Sequence, residues 1–362
     1  MNINFTAPIN SLSYGLVGLN VLLSLVKAGH SVAWFPIGQT EAPPETHDTL
    51  RAAMLNGQCP DFDAPSVRLF HENSLAQHVG RGKRIGWPIF EVNSFDRTRK
   101  QHLMGQDELI VCSKWAKDVC LDNHLGLMPI HVVPLGVDTN IFYPKTAPYF
   151  GPTTFIHIGK REYRKSQYEM LQCFEKAFRP TDNVKLIVVW GSQILKQTNP
   201  QEHDRWTHLF TGSPMASKIE LVEWVESQQQ VAQMLREADC GLFLSKSEGF
   251  NLGLLESMAV GNFNIVLNAT GPTEFITKES CLLVESTACE SIYDGVWFKD
   301  ADLGTWHAFG EEQINRTVDL MQYVFTAKQD EMLYINKKAI DRASQFTWEA
   351  TANKLVRALS NG

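Results

Sequence analysis

Short apolar runs rich in β-branched residues alternate along the chain with longer stretches whose apolar positions recur every three or four residues. The first pattern suits strands buried on both faces, and the second suits amphipathic helices packed over them. Together they predict parallel sheets built from βαβ units. Strands are expected at Ile3–Ala7, His30–Phe35, Ser66–Phe70, Arg84–Trp87, Glu108–Cys112 and Ile130–Val133. A second series is expected at Thr153–Ile158, Val184–Trp190, Lys218–Val222, Cys240–Leu244, Phe263–Leu267 and Cys281–Val284. Helical segments between them include Leu16–Lys27, Lys114–Leu125, Gln167–Phe178, Gln228–Glu237 and Leu252–Ala259, and Thr347 stands as the N-cap of a terminal helix over Thr351–Leu359.

The two series are separated by Phe142–Pro152, where three prolines and a glycine in eleven residues interrupt both helix and ladder pairing. The expected division is a domain at 1–148, a second at 149–345, and a closing helix at 346–362. A length of 362 residues suits two domains. With 44% hydrophobic and 20% charged residues the composition is that of a globular protein. The most apolar stretch, Leu16–Val26, is interrupted by Asn20 and Ser24 and ends at Lys27, so no transmembrane span is expected. Met1–Thr6 lacks a basic leader, and the seven cysteines are scattered without a C-x-x-C pair. Both features point to a cytoplasmic protein without disulfides or a metal cluster, with Cys112 and Cys240 as small core residues.

Charge is uneven. The net −7 divides into 12 Lys+Arg against 13 Asp+Glu in residues 1–150 and 21 against 27 in the remainder. The near-neutral first part carries a basic series, Arg81, Lys83, Arg84, Arg97, Arg99 and Lys100, which leaves a polyanionic partner open.

Candidate chemistry lies just after strands, where open parallel sheets bind ligands. The segment Ser245–Gly261 reads as strand end, glycine-bearing turn and helix start, with Glu248 in the turn and Glu256 inside the helix. Unpaired amides at such a helix start favour an anionic or polyhydroxyl ligand, and two carboxylates can accept from two sets of hydroxyls. A solvated helix with an acidic first turn fits the same spacing.

Ser245–Gly261 resembles the E-x7-E signature of retaining GT-B glycosyltransferases of family 4 (glycosyl transferases group 1), with Asn251 where glycine is common and Ser257 where alanine is common. Gly271–Ile276, Val111–Trp115, Val133–Pro144 and Ile158–Lys165 resemble other motifs of that family in the same order, leaving 36–65 and 191–217 outside. The resemblance implies two Rossmann-like, doubly wound α/β domains facing across a cleft, with the helix at 346–362 crossing back to the first. It implies hexosyl transfer from a nucleoside diphosphate sugar, of UDP or GDP type, to an acceptor hydroxyl, without a metal or other cofactor. Lys160 and Lys165 would hold the diphosphate, with Arg161 as a candidate to share that role. Glu256 would accept from the ribose, Glu248 would contact sugar hydroxyls, and Gly249, Phe250, Asn251 and Leu252 would complete the cradle, with Val222–Val225 beside the base. In the first domain Gly15 would be the counterpart of the family's glycine loop, His71 would lie near the reacting sugar, and Glu91 would be a further acceptor contact.

The triplets Asp61-Phe62-Asp63 and Asp300-Ala301-Asp302 are expected to be surface turns. A glycan or glycolipid is the acceptor the resemblance favours. Hydroxymethylated DNA, a silent sugar-nucleotide-binding module and a same-fold epimerase are the alternatives.

Overall fold

The computed structural model describes residues 1–148, 150–190, 194–299 and 302–360. The chain forms two compact units. The first comprises Met1–Gly136, a short stretch ending at Gly304, and the chain from Phe346 onward. Its elements run β1 (Asn2–Ala7), α1 (Ser13–Lys27), β2 (Ser31–Pro36), α2 (His47–Asn56), β3 (Ser66–Leu69), β4 (Arg84–Trp87), α3 (Arg97–Met104), β5 (Glu108–Val111), α4 (Lys114–Asp122) and β6 (Ile130–Val132). The strands form one sheet in the order β2-β1-β3-β4-β5-β6, and every described pairing is parallel.

The second unit holds β7 (Thr153–Ile158), α5 (Gln167–Ala177), β8 (Val184–Val189), α6 (Ile194–Thr198), α7 (Pro200–Thr211), β9 (Ile219–Val222), α8 (Gln228–Arg236), β10 (Cys240–Phe243), α9 (Leu252–Ala259), β11 (Phe263–Leu267) and β12 (Leu282–Val284). It continues with β13 (Cys289–Ser291), β14 (Thr305–His307), α10 (Glu311–Gln329) and α11 (Lys337–Ala343), before α12 (Trp348–Ser360) closes the chain in the first unit. Its parallel sheet runs β12-β11-β10-β7-β8-β9. The core of this unit packs Phe155, Phe174, Leu186, Leu242 and Ile265 against Met321 and Val324 of α10. Cys112 and Cys240 are core residues, each about 1% exposed or less, and burial pushes their thiols up, that of Cys112 to about 12.

All twelve strands expected from the sequence are present. The antiparallel pair β13–β14 has no counterpart in the sequence pattern, because each strand is only three residues long and apolar alternation cannot register over so short a run. The compact units part after Gly136, upstream of the proline-rich segment. That segment belongs to the second unit for a physical reason. Lys145 is 9% exposed, and its ammonium donates to Ala238 O and Asn262 Oδ1, each at 2.7 Å. At the other boundary, Thr347 Oγ1 accepts from Ala350 N at 3.1 Å as the cap of α12, and Thr351 Oγ1 donates to Pro134 O at 2.8 Å. Gly136 permits this approach, since a Cβ there would lie 2.3 Å from Thr347 C.

Strand order reverses between β1 and β3 in one sheet and between β7 and β10 in the other. Each reversal sends consecutive connections in opposite directions and leaves the carboxyl-end loops apart, which is where an open α/β sheet accommodates a ligand.

Candidate active site

In the second unit three loops meet at the carboxyl ends of β7, β10 and β11. The loop after β7 makes a 3₁₀ turn over Tyr163–Lys165 and passes through a left-handed Ser166 at φ 51° into α5. Lys246 N donates to Arg164 O at 2.8 Å, joining it to the loop after β10. Gly271 N donates to Glu248 O at 2.9 Å, and Glu248 N donates to Thr270 Oγ1 at 2.9 Å, joining the third. A Cβ on Gly271 would lie 2.2 Å from Gly249 O, so only glycine lets these two turns meet. Thr270 holds a positive φ of 52° at the same point. Asn251, at φ 79°, also occupies the left-handed region, and its Oδ1 caps α9 by accepting from Leu254 N at 3.2 Å. The Leu252 and Gly253 amides, in the first turn of α9, have no intrahelical acceptor.

The central interaction is an ion pair between Lys165 Nζ and Glu248 Oε1. Arg164 Nη1 lies 3.1 Å from Glu248 Oε2, and its guanidinium also bonds Ser247 O and Glu162. Glu248 is 5% exposed. Burial pushes its carboxyl up, but Lys165 and Arg164 outweigh that and hold it at about 2. Glu162 behaves the same way, raised by burial and brought below its ordinary value by Arg164, Lys165 and Lys160. Two cations and two carboxylates thus balance, and Lys160 adds a third cation. The Lys160 ammonium has no hydrogen-bond or ion-pair partner among the described residues.

Glu256 is different. It is half-buried on the second turn of α9 and has no ion-pair or side-chain hydrogen-bond partner among the described residues. Burial alone pushes its carboxyl up to about 8. Because this lies above the ordinary value of 4.5, its contribution to stability is full below about pH 4.5 and is lost as pH rises through 8. Glu256→Gln is expected to flatten that fall in a series of urea unfolding curves between pH 4.5 and 8. An unchanged slope would show that the carboxyl is not desolvated.

The other residues expected from the sequence have partners of their own. Arg161 does not join the cluster. Its side chain is 1% exposed, lies 3.5 Å over the Trp190 ring and pairs with Glu223. Arg164, which stands outside the motif positions, is the second cation on Glu248. Nothing in the sequence singles it out among four basic residues within six positions, because a 3₁₀ turn decides which of them points inward. Phe250 is 2% exposed and packs on Phe275 with ring centroids 4.9 Å apart, so its side chain supports the turn from behind. Gly249 is buried beneath Gly271, and Leu252 is half-buried at the start of α9. Val222 ends β9, its carbonyl accepting from Trp190 N at 2.9 Å. Ser257 donates to Asn264 Oδ1 at 2.6 Å, which gives its hydroxyl a buried partner below the helix.

In the first unit, His71 lies just after β3, exposed, with its ring 4.7 Å from that of Tyr14 and 4.8 Å from that of Phe70. Tyr14 OH donates to Ile89 O at 2.5 Å and accepts from Ile89 N at 3.1 Å, bracing the loop that carries Glu91. Burial, then Glu72 and Glu91, hold its phenol well above the ordinary range. Gly15 serves the chain itself. A Cβ there would lie 2.2 Å from Asn10 N, so its missing side chain admits the preceding loop.

The basic series is not one surface. Arg81 pairs with Asp63 at 2.6 Å, Lys83 with Glu108 at 2.7 Å, Arg84 with Asp107 at 3.0 Å, and Arg99 with Glu72 at 2.8 Å. Arg81, Lys83 and Arg84 gather at the amino end of β4, whereas Arg97, Arg99 and Lys100 follow its carboxyl end on α3. Asp61 accepts from Asn2 Nδ2 at 2.9 Å in a surface turn, which with the Arg81 pairing of Asp63 occupies the first D-x-D triplet. In the second, Asp300 and Ala301 lie outside the described residues, and Asp302 accepts from Gly304 N at 3.1 Å.

Residues 152–297 match the family model of glycosyl transferases group 1. No curated protein matches the sequence. Among solved structures, sucrose-phosphate synthase from Thermosynechococcus elongatus is similar over 99% of this chain and 98% of its own, with 16% identity and a TM-score of 0.73. Anabaena HepE in complex with UDP and glucose aligns over 100% of both chains at 15% identity and a TM-score of 0.66. An E. coli structure described as trehalose-6-phosphate bound with UDP-2-fluoro glucose aligns over 100% of this chain and 99% of its own, at 10% identity and a TM-score of 0.69. The fold is GT-B, with two Rossmann-like domains. Among the described residues no helix is long and apolar enough to cross a membrane.

Proposed function

We propose that this protein is a retaining, metal-independent glycosyltransferase that moves a hexosyl unit from a nucleoside diphosphate sugar, of UDP or GDP type, to an acceptor hydroxyl. The observation that carries this reading is the buried Lys165–Glu248–Arg164 cluster at the β7/β10 reversal, with Glu256 on the adjoining helix half-buried and without a side-chain partner among the described residues. The family match spans these residues, and HepE, a structural neighbour, holds UDP and glucose.

In this mechanism Lys165 and Lys160 neutralise charge that grows on the departing diphosphate, with the free first-turn amides of α9 beside them. Glu248, fixed and kept ionised by two cations, accepts from hydroxyls of the donor sugar. Glu256 accepts from the ribose, and the hydroxyl bonds repay the desolvation that raises it. The described residues offer no evident nucleophile for a double displacement, so departure of the diphosphate leads and the acceptor enters on the same face. His71, beside Tyr14, is the candidate contact on the acceptor side. A glycan or glycolipid is the acceptor proposed, and the pairing of Arg81, Lys83, Arg84 and Arg99 with carboxylates supports it over a phosphate-rich one.

Incubation with a panel of nucleotide sugars, following diphosphate release with and without acceptors, tests the reading. Release that depends on acceptor is expected. Binding without turnover would establish a silent module, and isomerised donor would establish an epimerase.

A further inference from the structure

Strand β3 carries a charge into the interior of the first unit. Arg68 is 4% exposed. Its neighbour in register on β1 is Thr6, whose neighbour on β2 is Phe35, so the three side chains stand in a row on one face of the sheet. A cavity of about 370 Å³ opens on this row and is completed by Gly38, Gln77 and His78.

Two features of its lining point to a ligand. Arg68 Nε donates to Ser74 O at 2.6 Å and Nη1 to Gln77 O at 3.4 Å, while Nη2 bonds no described residue. Carbonyls carry no full charge, and no carboxylate among the described residues pairs with this guanidinium; burial lowers its pKa and nothing opposes the shift. Arg161, Arg164 and Lys246 are equally buried, and each pairs with a carboxylate. A buried cation without an anion is costly, so its partner is expected to come from outside the chain. Independently, Thr6 is 7% exposed, and its buried hydroxyl has no hydrogen-bond partner among the described residues. Burial lowers the pKa of His78 and outweighs its bonds to Gln106 Oε1 at 2.7 Å and to Ser66 O, which favour the charged form.

We propose that this cavity binds a small oxyanion of the phosphate class, held by the Arg68 guanidinium and the Thr6 hydroxyl. The occupant would also brace the loop after β3. That loop is already tied to Arg68 through Ser74 and Gln77, and it carries Phe70, whose ring lies 6.0 Å from the guanidinium and against His71.

The test is calorimetric titration of inorganic phosphate into the full chain carrying Lys165→Ala, which weakens phosphate binding in the second unit. One site is expected, displaced by sulfate and insensitive to chloride at matched ionic strength. Adding Thr6→Val should weaken it about tenfold, the loss of one hydrogen bond to a charged group, and adding Arg68→Met should abolish it. Arg68→Met should fold at least as well as its parent without phosphate, since an apolar side chain replaces an uncompensated charge. If it does not fold, Thr6→Val alone decides. Glycerol phosphate binding as tightly as the inorganic ion would assign a phosphate ester, and binding of the ion alone would assign free phosphate. No binding by either, or affinity unchanged by both substitutions, would overturn the proposal.

Discussion

Lys165→Ala is expected to lower glycosyl transfer by about 10²–10³-fold while leaving the protein folded. The rate effect follows from charge. The bond to the leaving diphosphate breaks as negative charge accumulates, and Lys165 is a cation already fixed in place by Glu248, so no reorganisation is needed when that charge appears. The fold survives because Glu248 keeps its second cation, with Arg164 Nη1 3.1 Å away. The loss should fall mainly on kcat, since the interaction strengthens as the bond breaks. Steady-state kinetics separate the outcomes, and an unchanged kcat would remove Lys165 from the reaction.

Arg164→Ala should act chiefly on stability. Its guanidinium is 5% exposed and bonds the Ser247 carbonyl, Glu162 and Glu248, so one side chain holds together the loops after β7 and β10. Removing it leaves two buried carboxylates short of a partner, a loss of about 3–5 kcal/mol for broken buried pairs. A lower urea midpoint in the second unit is the expected reading. Glu248 should also become easier to protonate, since one of the two cations that keep it at about 2 is gone. Equal stability of variant and wild type would mean that the loops are held by backbone bonds alone.

The strands were readable because buried parallel strands are nearly continuous apolar runs, as in Val184–Val189, broken only by Lys185, and Phe263–Leu267, broken only by Asn264. The positions of Lys165, Glu248 and Glu256 were readable because each follows such a run at motif spacing. Long-range pairing was not. Lys83 meets Glu108 and Arg99 meets Glu72, partners more than twenty residues away, so part of a series that looks basic in the sequence is paired with carboxylates in the fold. Local direction was equally hidden. The 3₁₀ turn at Tyr163–Lys165 sends Arg164 inward, and the Trp190 face captures Arg161, although the two look alike in the sequence. Gly15 shows the same limit, since the close approach of the chain's own Asn10 depends on the path of the preceding loop.

The central claim is that the second unit holds a nucleoside diphosphate at Lys165. Its most direct test is calorimetric titration of UDP and GDP into the wild-type chain and into Lys165→Ala. One of the two nucleotides should bind at a single site and lose at least tenfold in affinity in the variant, whereas failure of both to bind, or equal binding by the two proteins, would contradict the account.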